Sequence, residues 1–470
     1  MAGWRNSVLG PPPCPPGSIK ALTRAYARGV LEPSWVVDRL AARLETQDFG
    51  LAGASPFSDL CLERASRAAQ LSTQRWRDRR PRGPLDGVPL PLKDHHHIAG
   101  LPTRAGVSRR QQAQPADGEL VLLLEALGAL VPGKTHCTEW GLCPVGRSAH
   151  TPLPRNPFHA EHGAGGSSTG AAAAVALGLV PAAMGSDAGG SIRIPAALQG
   201  LFGAKPGMES LRPQGDLFGR GSLTVNGPIA SCTADLALLL GAMGQPVAAA
   251  ALGCGVAGCR LGLPEGLWAM ADPAVASRCR ALLTQLEVDG AVLAPVRAPL
   301  MASSRELGVA VVLAEGALAL DSAERLGQLG PEAAESLRDL RLGSWPPPGD
   351  IPRLRAALIS ELAGLFEAVD LLALPTTLGP APLYGAMASG GGLLNERDNH
   401  AMCATTFAAN LCGLPAASMP AGMVDGLPVG LQLVGPAAGM AAILAVTAQA
   451  ERLGVTAVRP PGFEAPERWS

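Results

Sequence analysis

Apolar residues recur along this chain with two different spacings, and the alternation of these spacings predicts the elements of the fold. Residues 35–45, WVVDRLAARLE, carry apolar side chains three and four positions apart, as one face of a helix requires, and Ser34 precedes them where an N-cap would stand. The short apolar run at 88–92, bounded by glycine and lysine, is typical of a buried strand. We therefore expect helices and strands to alternate from residue 18 onwards.

The same pattern extends towards the C-terminus. We predict strands at 130–134, 260–263, 291–295, 371–374, 414–420 and 429–434, and helices at 60–71, 119–130, 232–243, 272–286, 351–369 and 441–453. Residues 136–162 show little periodicity and form a long irregular segment, a kind that is more often functional than idle. The alternation favours an α/β fold with a mixed, mainly parallel central sheet covered by helices on both faces.

The domain organisation predicted from the sequence is simple. Residues 1–17 are rich in proline and are expected to form a flexible arm. Residues 18–470 contain no internal repeat and no clear linker, which favours a single domain. Within it, residues 246–350 are weakest in motifs and are expected to form a variable helical region.

Composition and charge exclude several function classes. Of the 470 residues, 47% are hydrophobic and 16% charged, which argues against a disordered chain. The net charge of −1 gives no electrostatic argument for a nucleic-acid or membrane partner. The apolar runs are too short for a membrane span, and no apolar leader follows the N-terminus, so we expect a cytoplasmic protein. The ten scattered cysteines include no CxxC pair, which disfavours a disulfide framework or a zinc site.

Two serines flanked by glycines are the strongest candidates for chemistry. Ser191 follows Gly189 and Gly190, where the backbone can turn tightly and direct several N–H groups at one point, as a developing oxyanion requires. Ser167 lies in a glycine-rich loop that enters an alanine-rich helix. Taken alone, both serines could equally be helix caps or turn residues. The loop lacks the GxxxxGK[ST] pattern, so nucleotide binding is not predicted.

Lys93 is the best candidate for a base that would activate a serine. It follows the apolar run 88–92, and burial can lower the pKa of a lysine well below its usual value of about 10.4. A neutral Lys93 could accept a proton through Ser167, although a lysine at a strand end can also extend to water. The histidines at 95–97 would alternate between faces and lack a second ligand cluster, so we predict no metal.

Several motifs in order carry a resemblance to a known family. They are GPLDGVPLPLKD at 83–94, GKTHCTEWG at 133–141, GGSS at 165–168, GSDAGGSIRIPAA at 185–197, FGAKPG at 202–207 and LPAASMPAGMVDGLPVGLQLVG at 414–435. Together they resemble the amidase signature family over roughly residues 20–455, most weakly at 246–350. The resemblance implies the amidase signature fold.

The resemblance also implies the roles of individual residues. Ser191 would be the nucleophile, Ser167 the bridging serine on a cis peptide bond, and Lys93 the terminal base. The oxyanion hole would be formed by the backbone N–H groups of Ala188, Gly189, Gly190 and Ser191. We further expect Trp140, in the irregular segment, and Gly166 to line the substrate pocket.

Two positions depart from the family pattern. Thr169 stands where the family often has glycine, and His95 stands where asparagine or aspartate is usual. These differences leave the triad intact but leave the substrate open.

The function implied is hydrolysis of a small-molecule carboxamide through a serine acyl-enzyme, which releases ammonia or an amine and needs no cofactor. One alternative is the amidase subunit of a glutamine-dependent tRNA amidotransferase, which passes ammonia to a partner. Another is a non-catalytic binding protein that keeps the fold. The oligomeric state is open, with a homodimer among the possibilities.

Overall fold

The computed structural model describes most of the chain. The described ranges are 17–107, 112–148, 151–208, 221–245, 249–319, 346–384, 396–455 and 457–461. The predicted arm at 1–17 therefore lies outside the described residues except for Gly17, and so does the part of the predicted helical region at 320–345. The single-domain organisation stays a prediction.

The described strands form one sheet. They are β1 (Phe57–Leu60), β2 (Leu92–Lys93), β3 (Gly133–Thr135), β4 (Ala182–Asp187), β5 (Phe202–Lys205), β6 (Val225–Ala230), β7 (Arg260–Pro264), β8 (Val292–Val296), β9 (Leu371–Pro375), β10 (Ala416–Val424) and β11 (Leu427–Val434). Their order across the sheet is β1-β3-β2-β4-β6-β5-β10-β11-β9-β7-β8.

The α/β class and the mixed sheet are confirmed, but the expectation of a mainly parallel sheet is wrong. Among the described strands, the parallel pairs are β3–β2, β2–β4, β9–β7 and β7–β8, whereas the six pairs between β4 and β9 and at the β1 edge are antiparallel. The physical reason is clearest at β10 and β11. Only Asp425 and Gly426 separate these strands, and so short a turn can join only antiparallel neighbours.

The described helices are mostly amphipathic or wholly buried. They are α1 (Ile19–Ala27), α2 (Pro33–Glu45), α3 (Leu62–Arg77), α4 (Glu119–Ala126), α5 (Thr169–Ala176), α6 (Arg193–Leu198), α7 (Thr233–Ala242), α8 (Glu265–Met270), α9 (Pro273–Val288), α10 (Pro299–Ala302), α11 (Ser304–Ala319), α12 (Ile351–Ala368), α13 (Glu396–Cys403), α14 (Phe407–Leu411) and α15 (Met440–Arg452). Within the described ranges, none of them combines the length and the apolar character needed to cross a bilayer.

Helices cover both faces of the sheet, as the sequence pattern predicts. Successive side chains of a strand point to opposite faces, so neighbours on β4 enter different apolar clusters. Met184 belongs to the cluster that contains Leu239 of α7, whereas Ala183 belongs to the cluster that contains Val175 of α5. The centre of the sheet is therefore buried on both sides, and a polar group there is shielded from water.

Two predicted boundaries shift for reasons that involve proline. The predicted strand 88–92 shrinks to β2, because Pro89 and Pro91 have no N–H to donate to a ladder. Helix α2 begins at Pro33 rather than after Ser34, since proline fits the first helical turn. By contrast, the predicted helix at 272–286 begins as expected, because the Asp272 side chain caps α9 by accepting a hydrogen bond from the Ala274 N–H at 2.8 Å.

Candidate active site

The predicted base and the central strand meet at one edge of the sheet. Strands β2 and β4 are parallel neighbours, with Leu92 opposite Met184, so their carboxyl ends lie side by side. Lys93 closes β2, and Ser186 lies near the end of β4. Functional groups gather at such an edge because the backbone beyond it is free to form loops.

The predicted lysine and bridging serine are in direct contact. Lys93 Nζ lies 2.7 Å from Ser167 Oγ. It also lies 3.0 Å from the Ser186 hydroxyl and 3.4 Å from the Ser186 carbonyl oxygen. Lys93 and Ser167 are both buried, each only 1% exposed. Burial of an amine among hydroxyl and carbonyl oxygens is the setting that a lysine base requires.

The two serine loops are joined through their backbones. The Ser168 N–H donates to the Ser191 carbonyl oxygen at 3.1 Å, which places the residue after Ser167 directly against the predicted nucleophile. The Gly166–Ser167 peptide bond is cis, as the family resemblance implies. Ser191 is partly exposed to the cavity that also exposes Lys93 and Ser167.

The alternative of Ser191 as a helix cap is wrong. Helix α6 begins only at Arg193, and Ile192 occupies the cap position. The turn between β4 and α6 is instead held by a buried ion pair, in which Arg193 Nη2 lies 2.9 Å from Asp187 Oδ1. Burial alone would raise the pKa of Asp187, but the Arg193 guanidinium holds it well below its usual value. Asp187 is therefore a charged group that holds the turn between β4 and α6, which carries Ser191.

The Asp187 carboxylate also changes which N–H groups are available to the predicted oxyanion hole. The Gly190 N–H donates to Asp187 Oδ1 at 2.7 Å, so this donor already has an acceptor. The predicted contribution of Gly190 to the oxyanion hole is therefore not supported. Within the described part of the chain, the N–H groups of Ala188, Gly189 and Ser191 have no such acceptor. These three residues line the cavity, whereas Gly190 does not.

Close packing explains both glycines of the turn. A Cβ on Gly189 would lie 2.4 Å from the Phe407 ring, closer than real Cβ atoms approach. Gly190 has φ +117°, a conformation that side chains rarely adopt, and a Cβ there would lie 2.6 Å from Thr406 Oγ1. The turn that presents Ser191 is thus shaped by the segment that begins α14.

A cavity that opens to solvent lies above the serines. Its lining is mainly apolar, with Leu142, Ile194, Leu223, Val309, Val312 and Phe407. Trp140 lines the cavity too. Its backbone has φ +49°, and its backbone N–H donates to the Ala105 carbonyl at 2.7 Å. Gly166 is not part of the lining, contrary to expectation, because it packs against the Cys143 carbonyl.

Several lining residues were missed by the sequence analysis. They are Ser186 beside the lysine, and Arg305, Glu315 and Asn399 on α11 and α13. Ser186 had a signal, because it lies in the GSD motif at the end of a predicted buried strand. The residues of α11 and α13 had none, since only the folded chain brings them to the serines.

The three histidines occupy different places, and each has a lowered pKa. His95 lines the cavity, with its Nδ1 at 3.3 Å from Ser186 Oγ. His96 is also buried, and its burial lowers its pKa to about 3. The ring of His97 lies 2.9 Å from Thr103 Oγ1, away from the serines. Burial, reinforced by nearby ammonium groups, keeps all three neutral. The described residues contain no cluster of three side chains suited to a metal ion.

Comparison with known proteins gives a consistent result. The amidase family model matches residues 39–344 and 351–444. A glutamyl-tRNA(Gln) amidotransferase subunit from Pseudomonas putida is 34% identical over 395 residues, which cover 75% of this chain and 81% of that protein. The putative amidase AmiA2 of Mycobacterium bovis is 33% identical over 404 residues, covering 80% and 82% respectively.

A solved amidase structure extends the match to the fold. It superposes with a TM-score of 0.82 at 30% identity, covering 93% of this chain and 99% of the other. Together, the family model and these relatives show that the chain belongs to the amidase signature family.

Proposed function

We propose that this amidase hydrolyses a carboxamide through an acyl-enzyme formed on Ser191. The observation that carries the proposal is the 2.7 Å contact between Lys93 Nζ and Ser167 Oγ, beneath a cavity that also exposes Ser191. A serine hydroxyl is a weak nucleophile, and a neighbouring base is what activates it. A buried lysine joined to a second serine supplies that base without a histidine.

In the proposed acylation, the Ser191 oxygen attacks the amide carbonyl carbon while its proton passes to Ser167. Ser167 passes its own proton to Lys93 Nζ, so the charge that develops is an ammonium. When the tetrahedral intermediate collapses, the C–N bond breaks and the proton returns through Ser167 to the leaving nitrogen. Ammonia or an amine leaves, and Ser191 carries the acyl group as an ester.

Stabilisation of the intermediate falls to the N–H groups of Ala188, Gly189 and Ser191. These donors line the cavity and are free of acceptors in the described part of the chain, so they can receive the oxyanion. Water then enters as the second nucleophile. Its proton follows the same route to Lys93 and returns through Ser167 to the Ser191 oxygen as the ester bond breaks. This step releases the carboxylic acid and restores the Ser191 hydroxyl and neutral Lys93.

The lining of the cavity supports amides with an apolar group. It is mainly apolar, as is usual for pockets that bury a small molecule. Leu142 and Val309 offer apolar burial, and Thr224, Arg305, Glu315 and Asn399 add polar groups to the wall. We therefore favour amides with an aliphatic or aryl group as substrates.

The amidotransferase alternative rests on the 34% identity to the glutamyl-tRNA(Gln) amidotransferase subunit of Pseudomonas putida. It would make glutamine the amide donor and would require a partner that consumes ammonia. Glutaminase activity that appears only with a co-purified partner would favour it over a free-standing amidase. Cytoplasmic location and a homodimer stay predictions.

The proposal is tested by measuring product release from a panel of aliphatic, aryl and peptide amides. Wild-type protein should release carboxylic acid and amine in equal amounts from at least one amide. Lys93→Ala should lower kcat by about 10²–10⁴-fold, the usual contribution of a positioned acid–base group. Full activity in Lys93→Ala would contradict the assignment of the base.

A further inference from the structure

The hydrogen bonds between Lys93 and the neighbouring serine hydroxyls can run in either direction. Its Nζ lies within hydrogen-bond distance of Ser167 Oγ, Ser186 Oγ and Ser186 O. A neutral amine has two N–H groups and one lone pair. The carbonyl oxygen of Ser186 can only accept, so it takes one N–H. The two hydroxyls then compete for the remaining N–H and the lone pair.

Only one of the two arrangements supports the proposed reaction. If the Ser167 hydroxyl donates to the lone pair, Lys93 can take its proton. If the Ser186 hydroxyl donates instead, Lys93 directs an N–H at Ser167 and the relay is blocked. The distances of 2.7 Å and 3.0 Å permit both hydroxyls to donate. Another group must therefore determine which of the two serine hydroxyls donates to Lys93.

His95 is placed to make that selection. Its Nδ1 lies 3.3 Å from Ser186 Oγ, on the same hydroxyl that faces Lys93. Ser186 and His95 are both buried, at 2% exposure each. We propose that His95 Nδ1 accepts the Ser186 hydroxyl hydrogen, which leaves the Lys93 lone pair to Ser167. His95 is then a positioning residue that acts through Ser186, an inference that rests on the proposed function.

The surroundings of His95 support an acceptor role for this ring. Burial holds the pKa of His95 well below its usual value, and positive charge on Lys93, when that amine is protonated, and on Lys134 lowers it further. The imidazole is therefore neutral, and one of its nitrogens carries a lone pair. Protonation of Nε2 leaves that lone pair on Nδ1, where the Ser186 hydroxyl can donate to it.

The test uses substitutions that keep or remove an acceptor at the Nδ1 position. His95→Leu removes it, and we expect kcat to fall by about tenfold or more with little change in KM. His95→Asn can place an amide oxygen near the same point and should recover most of the loss. His97→Leu, the same change in a ring that contacts Thr103, is the matched control and should keep kcat within about twofold.

A double-mutant cycle with Ser186→Ala separates positioning from a general structural effect. In that background there is no hydroxyl to orient, so His95→Leu should cost little further activity. Two outcomes would overturn the inference: wild-type kcat in His95→Leu, or equal losses from His95→Leu with and without the Ser186 hydroxyl. Loss of folding is monitored by thermal unfolding, and the Asn variant keeps the test informative if the Leu variant unfolds.

Failure of the proposed function has a different signature. In that case wild-type protein would show no hydrolysis dependent on Ser191, and the cycle could not be measured on any amide. If Ser191-dependent hydrolysis is present and His95→Leu leaves it intact, only the role of His95 is contradicted.

Discussion

At the scale of single residues, the chemistry depends on how a buried amine is surrounded. Lys93 is 1% exposed and faces hydroxyl and carbonyl oxygens of Ser167 and Ser186. In the proposed reaction, Ser167 carries protons between Lys93 and Ser191. Its hydroxyl should matter far more than that of the serine next to it.

Ser167→Ala and Ser168→Ala test this difference directly. Both serines are buried, but the Ser168 hydroxyl donates to the Ser186 carbonyl at 3.2 Å, whereas the Ser167 hydroxyl lies 2.7 Å from Lys93 Nζ. We expect Ser167→Ala to lower kcat by about 10²-fold or more, because the proton relay is interrupted. Ser168→Ala should lower kcat by less than about tenfold. Steady-state kinetics on one amide decides the matter, and equal losses would contradict a relay through Ser167.

The sequence was informative at this scale where chemistry is local. Ser191 and Ser167 stand in short glycine-rich motifs, and Lys93 follows an apolar run, so each could be predicted from its neighbours. The contact of His95 with Ser186 could not be predicted, because it joins residues at the ends of β2 and β4, and these strands are neighbours only in the folded sheet. The loss of Gly190 as an oxyanion donor depends likewise on the orientation of the Asp187 carboxylate.

At the scale of elements, the turn between β4 and α6 is fixed from outside. The Phe407 ring of α14 packs against both Gly189 and Gly308, and a Cβ on either glycine would approach it to 2.4 Å or less. Asn410, also on α14, donates from its amide to Asp187 Oδ1 at 3.0 Å. The turn that carries Ser191 is thus held by a helix more than two hundred residues further along the chain.

Gly189→Ala should disturb this arrangement. The added methyl group would lie 2.4 Å from the Phe407 ring, and that ring also packs against Gly308. We expect kcat to fall by about tenfold or more and the double variant Gly189→Ala/Phe407→Leu to recover part of the loss.

Gly241→Ala is the matched control for this substitution. Gly241 lies in α7 with open space around it, so alanine there should leave kcat unchanged and stabilise the fold by about 0.5–1 kcal/mol. Wild-type kcat in Gly189→Ala would show that the ring does not constrain the turn.

The elements themselves could be predicted more fully than their arrangement. Helices α2, α3, α7, α9, α12 and α15 all overlap their predictions, because their apolar spacing is set locally. Strand direction is not local. Helices between strands suggested parallel crossovers, yet β4, β6, β5 and β10 pair antiparallel across long stretches of sequence.

At the scale of the whole molecule, two buried carboxyl groups link the N-terminal helix to the C-terminal one. Asp235 of α7 accepts a hydrogen bond from the Ile19 N–H of α1 at 2.8 Å. Glu451 of α15 accepts one from the Thr233 N–H at 2.9 Å. Burial raises the pKa of each carboxyl group to about 7.

This gives the free energy of unfolding a definite dependence on pH. At these two carboxyl groups, the folded state binds more protons than the unfolded state between about pH 4 and pH 7. Their contribution to the free energy of unfolding is therefore full below that window and decreases as the pH rises through it. Asp235→Asn removes one titrating group and should flatten the decrease by a few kcal/mol. Urea unfolding at pH 5 and pH 7.5 measures it. The exposed Asp38→Asn on α2 should leave the slope unchanged, and an unaltered slope in Asp235→Asn would contradict the link.

The central claim is that Ser191 is the nucleophile of this amidase, and covalent labelling tests it most directly. Wild-type protein and Ser191→Ala are incubated with a fluorophosphonate, and intact mass is measured, followed by peptide mapping. We predict one adduct on wild-type protein, located on Ser191, and none on the variant. Equal labelling of the two proteins, or an adduct that maps to another residue, would contradict the account.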